Sequence, residues 1–242
     1  MDDRWYEIAN LEHPWITRRF EVLRRLAGGL IAQASAIAEV GCGRGLLQRQ
    51  VEDFFHADVT GFDLNPAALA ETASRSSPVC CYDVLDRRTQ YEACFDLILL
   101  ADVLEHVADE GAFLRAVLFH LAPGGSVVVN VPALQSLYSG YDRAVGHLRR
   151  YRIGSLSEAA RQGGLRITSY TYWGLPLMPL LILRKLWMLA RSGDGAIAAG
   201  FETGGPLRDR ALLCLSRCEP IPQRLLGTSL MAVLRKASDG SF

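Results

Sequence analysis

Residues 36–45 read Ala-Ile-Ala-Glu-Val-Gly-Cys-Gly-Arg-Gly, a short apolar run that ends at an acid and a glycine-spaced turn. The apolar residues predict a short buried strand. Glycines let the backbone turn sharply after it and bring N–H groups close to a ligand, where a Cβ would clash. A helix is predicted to begin at Leu46, and the partial positive charge of its N-terminus points at the same place. This stretch therefore predicts a site for part of a nucleotide-like cofactor.

The glycine spacing distinguishes between two kinds of cofactor site. The dinucleotide fingerprint Gly-x-Gly-x-x-Gly has its third glycine at the sixth position, but that position, counted from Gly41, is Leu46. The compact pattern acid-x-Gly-x-Gly-x-Gly, from Glu39 to Gly45, resembles motif I of the class I S-adenosylmethionine-dependent methyltransferases. In that family the turn holds the methionine and ribose parts of the cofactor. The resemblance implies S-adenosyl-L-methionine as cofactor and S-adenosyl-L-homocysteine as product.

Four more apolar runs follow in the order that this family has. Residues 59–63 and 79–83 each end on an acid, residues 95–107 resemble motif IV and the turn after it, and residues 126–131 follow a Pro-Gly-Gly turn. Alternating strand and helix patterns predict a parallel sheet with helices on both faces. We therefore expect a Rossmann-like, doubly wound α/β fold. Its seven-stranded sheet is mostly parallel, with an antiparallel last strand and a helical insertion before that strand.

The acids at the strand ends are candidate site residues. Asp63, at the end of the second strand, can accept hydrogen bonds from both ribose hydroxyls, and it could also cap the helix that follows Asn65-Pro66. The resemblance implies that Asp83 lies near the adenine and that Trp15 and Arg19 belong to a segment covering the cofactor. The alternative is a core aromatic at Trp15, with Arg18 and Arg19 solvated. The predicted cofactor-binding set is Trp15, Arg19, Glu39, Gly41, Cys42, Gly43, Gly45, Asp63, Leu64, Asp83, Val84, Ala101, Asp102 and His106.

A second candidate region is the basic loop at residues 141–152. It resembles the Gly-His-x-Arg-Arg-Tyr signature of a branch of small-molecule methyltransferases. His147 is the candidate general base or substrate-orienting group, because its ordinary pKa of about 6.5 suits proton removal near neutrality. The alternative is a histidine that only fixes the loop. Arg149, Arg150 and Tyr151 are predicted to bind substrate, and the alternative for the arginines is a solvated face.

The chain is expected to form one methyltransferase domain over residues 1–242. Its parts are an N-terminal helical cap at 1–35, a cofactor-binding core at 36–173, a helical insertion or lid at 174–225 and a last strand at 226–236. The apolar stretch 175–190 is too short and too interrupted to span a bilayer. It could be a lid over a hydrophobic pocket, a helix resting in the membrane interface or a buried core helix. The glycine-rich stretch 196–206 is typical of a mobile connection.

Composition narrows the function classes. Lysine plus arginine equals aspartate plus glutamate at 26 each, so charge gives no case for nucleic acid. The first residues lack the pattern of a secretory signal, and the six cysteines show no pairing or metal-binding spacing. We expect a cytoplasmic protein, with a peripheral contact to the inner face of the membrane through residues 175–190, as a monomer or homodimer.

These patterns together predict a metal-independent methyltransferase in a biosynthetic pathway. It would move a methyl group by in-line displacement to an apolar or anionic small-molecule acceptor, or to one linked to a lipid or glycan. Two alternatives stay open at this point. One is a catalytically silent subunit that binds S-adenosylmethionine, and the other is an NAD-dependent oxidoreductase.

Overall fold

The computed structural model describes residues 10–190 and 205–237. The strands are β1 Ile37–Val40, β2 Val59–Asp63, β3 Val79–Cys81, β4 Phe95–Ala101, β5 Leu121–Pro132, β6 Leu165–Trp173 and β7 Ser229–Lys236. The helices are α1 Pro14–Gln33, α2 Leu46–Phe55, α3 Pro66–Ala70, α4 Glu110–His120, α5 Gly140–Ala144, α6 Ile153–Gln162, α7 Met178–Ala190 and α8 Pro206–Ser216.

The strands form a seven-stranded sheet in the order β3-β2-β1-β4-β5-β7-β6. Neighbouring strands from β3 to β5 run parallel, whereas β7 lies antiparallel between β5 and β6. The predicted α/β fold with its antiparallel last strand is confirmed. The strand order reverses between β1 and β4, and ligands of such sheets bind beyond the carboxyl ends of the strands at that point.

Each face of the sheet has its own apolar core, because successive side chains of a strand point to opposite faces. In β4, Leu97 and Leu99 pack with α1 and α2 on one face. Ile98 and Leu100 pack with Phe113 of α4 and its neighbours on the other face. Burial on both faces explains why the parallel strands have almost continuously apolar sequences.

The N-terminal helix belongs to this packing. Helix α1 buries Phe20, Leu23 and Ile31 against the sheet. Its N-terminus lies near the carboxyl ends of the strands, since Trp15 packs against Trp173 with ring centroids 4.4 Å apart. The segment therefore contributes to the core as well as to the rim of the strand ends.

The described part of the insertion between β6 and β7 contains the helices α7 and α8, and residues 217–228 after α8 are irregular. Leu180, Ile182 and Leu183 of α7 are exposed, so this part of α7 is not a buried core helix. The glycine-rich connection predicted at 196–206 lies almost wholly outside the described residues. Within the described ranges, we find no helix with both the length and the apolar character that a membrane crossing requires.

Candidate active site

A crevice of about 640 Å³ lies beyond the carboxyl ends of β1, β2 and β4. Its walls contain every residue of the predicted cofactor-binding set except Gly45, so the structure brings together residues from position 15 to position 106. His147 also lies in the wall, but Arg149, Arg150 and Tyr151 do not. The crevice therefore has a glycine-turn end, formed by the strand tips, and a second end near His147.

The glycine turn has the left-handed backbone that its sequence predicts. The φ angles of Gly41, Gly43 and Gly45 are 77°, 52° and 66°, a region that glycine adopts without strain. A Cβ on Gly41 would lie 2.5 Å from Cγ2 of Val103, and one on Gly45 would lie 2.5 Å from Oγ1 of Thr72. Gly45 therefore permits the close packing that starts α2, and its predicted place in the cofactor site is not found.

Asp63 ties the turn to the second strand. Its carboxylate accepts hydrogen bonds from the backbone N–H of Gly43 at 2.7 Å and of Asn65 at 2.8 Å. The cap of α3 is Asn65, whose side chain accepts from the N–H groups of Ala67 and Ala68. The helix-cap alternative for Asp63 is therefore wrong. Its carboxylate lies in the crevice wall instead, held toward the turn.

Asp83 lies just beyond the third strand. That strand ends at Cys81, two residues earlier than its sequence predicts. Asp83 accepts a hydrogen bond from the N–H of Leu85 at 2.9 Å and so caps a short 3₁₀ helix, Val84–Asp86. It shares the crevice wall with Tyr82 and Val84, so a capping role and a ligand-facing position coexist.

The surroundings of Glu39 indicate which ligand the glycine turn could hold. Its side chain is buried in the crevice wall, and within the described part of the chain its Oε2 has no hydrogen-bond partner. Burial raises the pKa of Glu39 to about 8, against the attraction of the Arg19 charge. A buried carboxyl with a free oxygen suits a cationic donor, which would stabilise its charged form. The methionine part of S-adenosylmethionine carries such an ammonium group, so the residues fit this cofactor.

Asp102 is the centre of a polar network at the end of β4. It accepts from Nη1 of Arg19 at 2.7 Å and from Nδ2 of Asn130 at 2.6 Å. The Nε1 of Trp173 donates in turn to Oδ1 of Asn130 at 2.9 Å. Arg19 is thus paired and mostly buried, which excludes the solvated alternative for it. Asp102 also has a φ of 60°, and surrounding contacts must stabilise such a backbone in a residue other than glycine.

The far end of the crevice is formed by the loop that follows β5. Nδ1 of His147 lies 3.0 Å from Oδ1 of Asp142, and this carboxylate is buried. Asp142 also accepts from Nε of Arg150 at 2.7 Å and from the N–H of Ser139 at 2.8 Å. Burial by itself would raise the pKa of Asp142, but the His147 hydrogen bond and the Arg150 charge outweigh it and lower the pKa to about 2.

Sequence reasoning did not single out Asp142. The only signal was its place five positions before His147, within the same basic loop. Such a spacing does not show that the two side chains meet, because the loop folds back on itself through α5. The structure pairs them and turns Nε2 of His147 toward Glu105, whose Oε1 lies 3.7 Å away.

The basic residues after His147 hold the loop. Arg149 pairs with Glu110 of α4, and the hydroxyl of Tyr151 donates to Oε1 of Glu110 at 2.7 Å. Arg150 is buried on Asp142 and also donates to the carbonyl of Ala133. These three side chains have partners within the protein and lie outside the crevice wall. The structure therefore replaces their predicted contact with substrate by a positioning role.

Glu105 and His106 complete the far end of the crevice from a 3₁₀ helix, Leu104–His106, that follows β4. Burial, together with the Asp102 charge, raises the pKa of Glu105 well above its ordinary value. Burial and then the neighbouring His147 lower the pKa of His106 to about 4, so its imidazole is neutral at pH 7. The rings of His106 and His147 meet edge to face, with centroids 4.9 Å apart.

Comparison with known proteins shows which family the chain belongs to. A family model described as a methyltransferase domain matches residues 15–170. A protein named ubiquinone biosynthesis O-methyltransferase from Bordetella avium is 33% identical over 115 residues, which is 45% of this chain and 46% of that protein. The chain thus matches about half the length of this curated relative.

Solved structures agree on the fold. A structure described as a SAM-dependent methyltransferase from Archaeoglobus fulgidus superposes with a TM-score of 0.58, at 16% identity, over 91% of this chain and 94% of that one. The N-methyltransferase NodS from Bradyrhizobium japonicum, in complex with S-adenosyl-L-homocysteine, superposes with a TM-score of 0.57 at 18% identity, over 98% and 93% of the two chains. At these identities the likeness shows the fold alone.

Proposed function

The chain belongs to the class I S-adenosylmethionine-dependent methyltransferase family, and we propose that it transfers the methyl group to a hydroxyl oxygen of a small, largely apolar acceptor. The observation that carries this proposal is the far end of the crevice, where His147 is oriented by Asp142 and faces the open volume. Family membership also leaves the NAD-dependent oxidoreductase without support.

The residues of the glycine-turn end would hold the cofactor. Glu39 would bind its amino group through the free oxygen, and Asp63 would accept from the ribose hydroxyls. When bound, the cofactor would supply a methyl group that its sulfonium makes electrophilic. The acceptor oxygen would bond to the methyl carbon in line as the carbon–sulfur bond breaks, with S-adenosylhomocysteine as the leaving group. The protein then contributes alignment and exclusion of water, for which intramolecular models allow roughly 7–11 kcal/mol.

A hydroxyl acceptor must lose its proton, and the far end of the crevice has a group that can receive it. His147 is mostly buried, and a carboxylate fixes its Nδ1, so Nε2 is the atom available to the acceptor. The O-methyltransferase name of the Bordetella avium relative supports the same choice of acceptor atom. His147 is therefore the proposed group on which proton removal depends, and Asp142 is its positioning residue.

Apolar side chains in the crevice and on α7 support the proposal of a largely apolar acceptor. Val103, Val107, Phe113 and Val145 line the crevice. The exposed leucine and isoleucine side chains of α7 would suit contact with an acyl or prenyl tail at a membrane surface. None of the insertion's described residues lines the crevice, so α7 is not proposed as a lid. We place the protein in the cytoplasm, with α7 resting on the inner membrane face.

The test is transfer of a labelled methyl group from S-adenosylmethionine to matched acceptors. Phenols and catechols with and without an alkyl tail are compared with amines and carboxylates of the same skeleton. We expect label on the hydroxyl compounds, and His147→Ala should lower kcat by about 10²–10⁴-fold while the affinity for S-adenosylhomocysteine stays unchanged. Transfer to amines alone, or an unchanged kcat in His147→Ala, would contradict the proposal.

A further inference from the structure

Three side chains at the far end of the crevice carry potential metal-ligand atoms that converge. Glu105 and His106 come from the 3₁₀ helix after β4, and His147 comes from the loop after β5. One carboxylate oxygen of Glu105 and one ring nitrogen of each histidine all lie within 4.8 Å of one another. Tetrahedral ligands of a single ion at about 2.0–2.2 Å lie about 3.3–3.6 Å apart, so a contraction of at most about 1.5 Å would complete such a site.

The buried side chain of Glu105 lacks a stabilising partner in the part of the chain that the structure describes. Its side chain is fully buried, and neither oxygen has a hydrogen-bond partner among the described residues. Within the described ranges, the nearest basic atom is Nε2 of His147 at 3.7 Å, beyond hydrogen-bond distance. A buried carboxyl without a partner stays protonated unless a cation or a metal compensates its charge. A cation at this position would therefore stabilise the ionised form of Glu105.

Both histidines are held through Nδ1. Nδ1 of His106 lies 3.1 Å from the carbonyl oxygen of Gly146, and Nδ1 of His147 lies 3.0 Å from the carboxylate of Asp142. Since these oxygens only accept, we assign the ring proton of each neutral histidine to Nδ1. Nε2 of each ring then carries a lone pair, and Nε2 of His106 has no partner in the described ranges. Metal-binding histidines are commonly held in this way, with the second nitrogen donating to a carboxylate or carbonyl.

We propose that Glu105, His106 and His147 bind one divalent transition-metal cation of the Zn²⁺, Fe²⁺, Co²⁺ or Mn²⁺ class. Two imidazole nitrogens and one carboxylate oxygen are a donor set that these ions accept, and three protein ligands leave coordination positions open. The open positions face the crevice, because all three residues line it. The sequence alone favoured a metal-independent protein, because it shows no cluster of aspartate and asparagine that would bind a metal beside a hydroxyl.

The catalytic consequence rests on the proposed function. A divalent cation lowers the pKa of a bound oxygen and so favours its deprotonated form. A hydroxyl acceptor at the open position would lose its proton to solvent, and its oxygen would then attack the methyl carbon. In that state His147 is a ligand of the cation, and the cation takes over the preparation of the hydroxyl. Asp142 keeps its positioning role by holding Nδ1 of the ligand.

The test is binding of Co²⁺ to the full chain after treatment with a chelator, followed by visible d–d absorption and calorimetry. We expect one Co²⁺ per chain, with loss of binding in Glu105→Gln and in His106→Asn. Asp142→Asn should weaken binding by about 10–100-fold, as for other outer partners of metal ligands. The matched control is His56→Asn at an exposed, left-handed position that asparagine tolerates, and it should bind Co²⁺ as the parent chain does.

Far-UV circular dichroism and the urea midpoint of unfolding check that each variant is folded. The inference is overturned if the parent chain binds no Co²⁺, or if Glu105→Gln and His106→Asn, both folded, bind it undiminished. If the parent chain, once stripped by the chelator, does not bind added Co²⁺ but still transfers the methyl group to hydroxyl acceptors, the cation site is overturned and the proposed function stands. Co²⁺ binding that is lost in Glu105→Gln and His106→Asn, without methyl transfer to any hydroxyl compound, would support the site and contradict the proposed function.

Discussion

The two ends of the crevice are built by different kinds of contact. At the glycine-turn end, Glu39, Gly41 and Asp63 are positioned by the ends of neighbouring strands and by backbone conformation. At the far end, Glu105 and His147 meet only because two loops fold across each other; the N–H of Leu148 donates to the carbonyl of Glu105 at 2.8 Å. Strand ends and backbone conformation therefore determine the glycine-turn end, whereas the far end depends on contacts between residues distant in sequence.

The C-terminal third extends this comparison, since it is anchored through residues outside the crevice wall. Glu219 is buried beside Arg18 of α1, and its carboxylate accepts from the N–H groups of Gly174 at 2.6 Å and Leu175 at 3.0 Å. One acidic side chain thus joins the N-terminal helix, the end of β6 and the segment that follows α8. The largest effect that we predict comes from breaking this junction.

Glu219→Ala should lower the free energy of unfolding by about 2–5 kcal/mol, because the N–H groups of Gly174 and Leu175 lose their acceptor and the buried Arg18 is left with Glu21 as its ionic partner. Urea denaturation measures the change. Glu158→Ala is the control, since Glu158 forms an exposed pair with Arg161, and such pairs contribute at most about 1 kcal/mol. If the two variants were equally stable, the C-terminal third would be held by its apolar contacts and not by this junction.

The difference between the two ends of the crevice also explains which residues could be predicted from sequence. The strand order follows from apolar runs and turns, and the glycine-turn residues follow because each lies at a strand end. Gly45 was misplaced, since the spacing alone does not show that its missing Cβ makes room for Thr72 instead of a ligand. A glycine pattern shows where a Cβ is excluded, but only the fold shows which atom excludes it.

The far end could be predicted only in part. The basic loop pointed to His147, but burial decides the roles of Arg149 and Arg150, which pair with Glu110 and Asp142 inside the protein. A run of cations is equally compatible with solvent, a substrate anion or buried acids. Glu110 lies on another element, and Asp142 reaches Arg150 only because the loop folds back on itself, so the sequence of the loop does not show either contact.

The glycine-turn end can be tested through its ribose assignment. Asp63→Ala should weaken binding of S-adenosylhomocysteine by about 1.5–3 kcal/mol, the range for hydrogen bonds to a charged group, and calorimetry measures it. Asp53→Ala is the control, because Asp53 lies on the solvent side of α2 and pairs with Arg49. Equal affinities for the parent and Asp63→Ala would show that the carboxylate only holds the turn through Gly43.

A smaller, pH-dependent effect should come from the back of the glycine-turn end. Glu52 of α2 accepts hydrogen bonds from Ser74, at Oγ, and from the N–H groups of Arg75 and Ser77. Burial opposes ionisation, but these hydrogen bonds outweigh it and lower the pKa of Glu52 to about 2. Its folded pKa lies below the ordinary value of 4.5, so the stabilisation is fully present above about pH 4.5 and is lost as the pH falls toward 2.

Glu52→Gln should therefore cost about 1–2 kcal/mol of stability at pH 7 and almost nothing near pH 2. Urea denaturation at a series of pH values measures this convergence. A difference between the two proteins that stays constant from pH 7 to pH 2.5 would mean that the hydrogen-bonded loop, and not the ionised form of Glu52, supplies the stability.

The exposed surface of α7 should give the smallest effect on the fold. Replacing Leu180, Ile182 and Leu183 together by serine should change the free energy of unfolding by less than about 0.5 kcal/mol per site, because exposed positions contribute little. Cofactor affinity should not change either, since these residues lie outside the crevice. Association with vesicles of phosphatidylglycerol and phosphatidylcholine should be lost, whereas Leu85→Ser, at another exposed leucine, should retain it. If the triple variant sediments with vesicles as the parent does, α7 is not the membrane contact, and the far end of the crevice must receive its acceptor from solution.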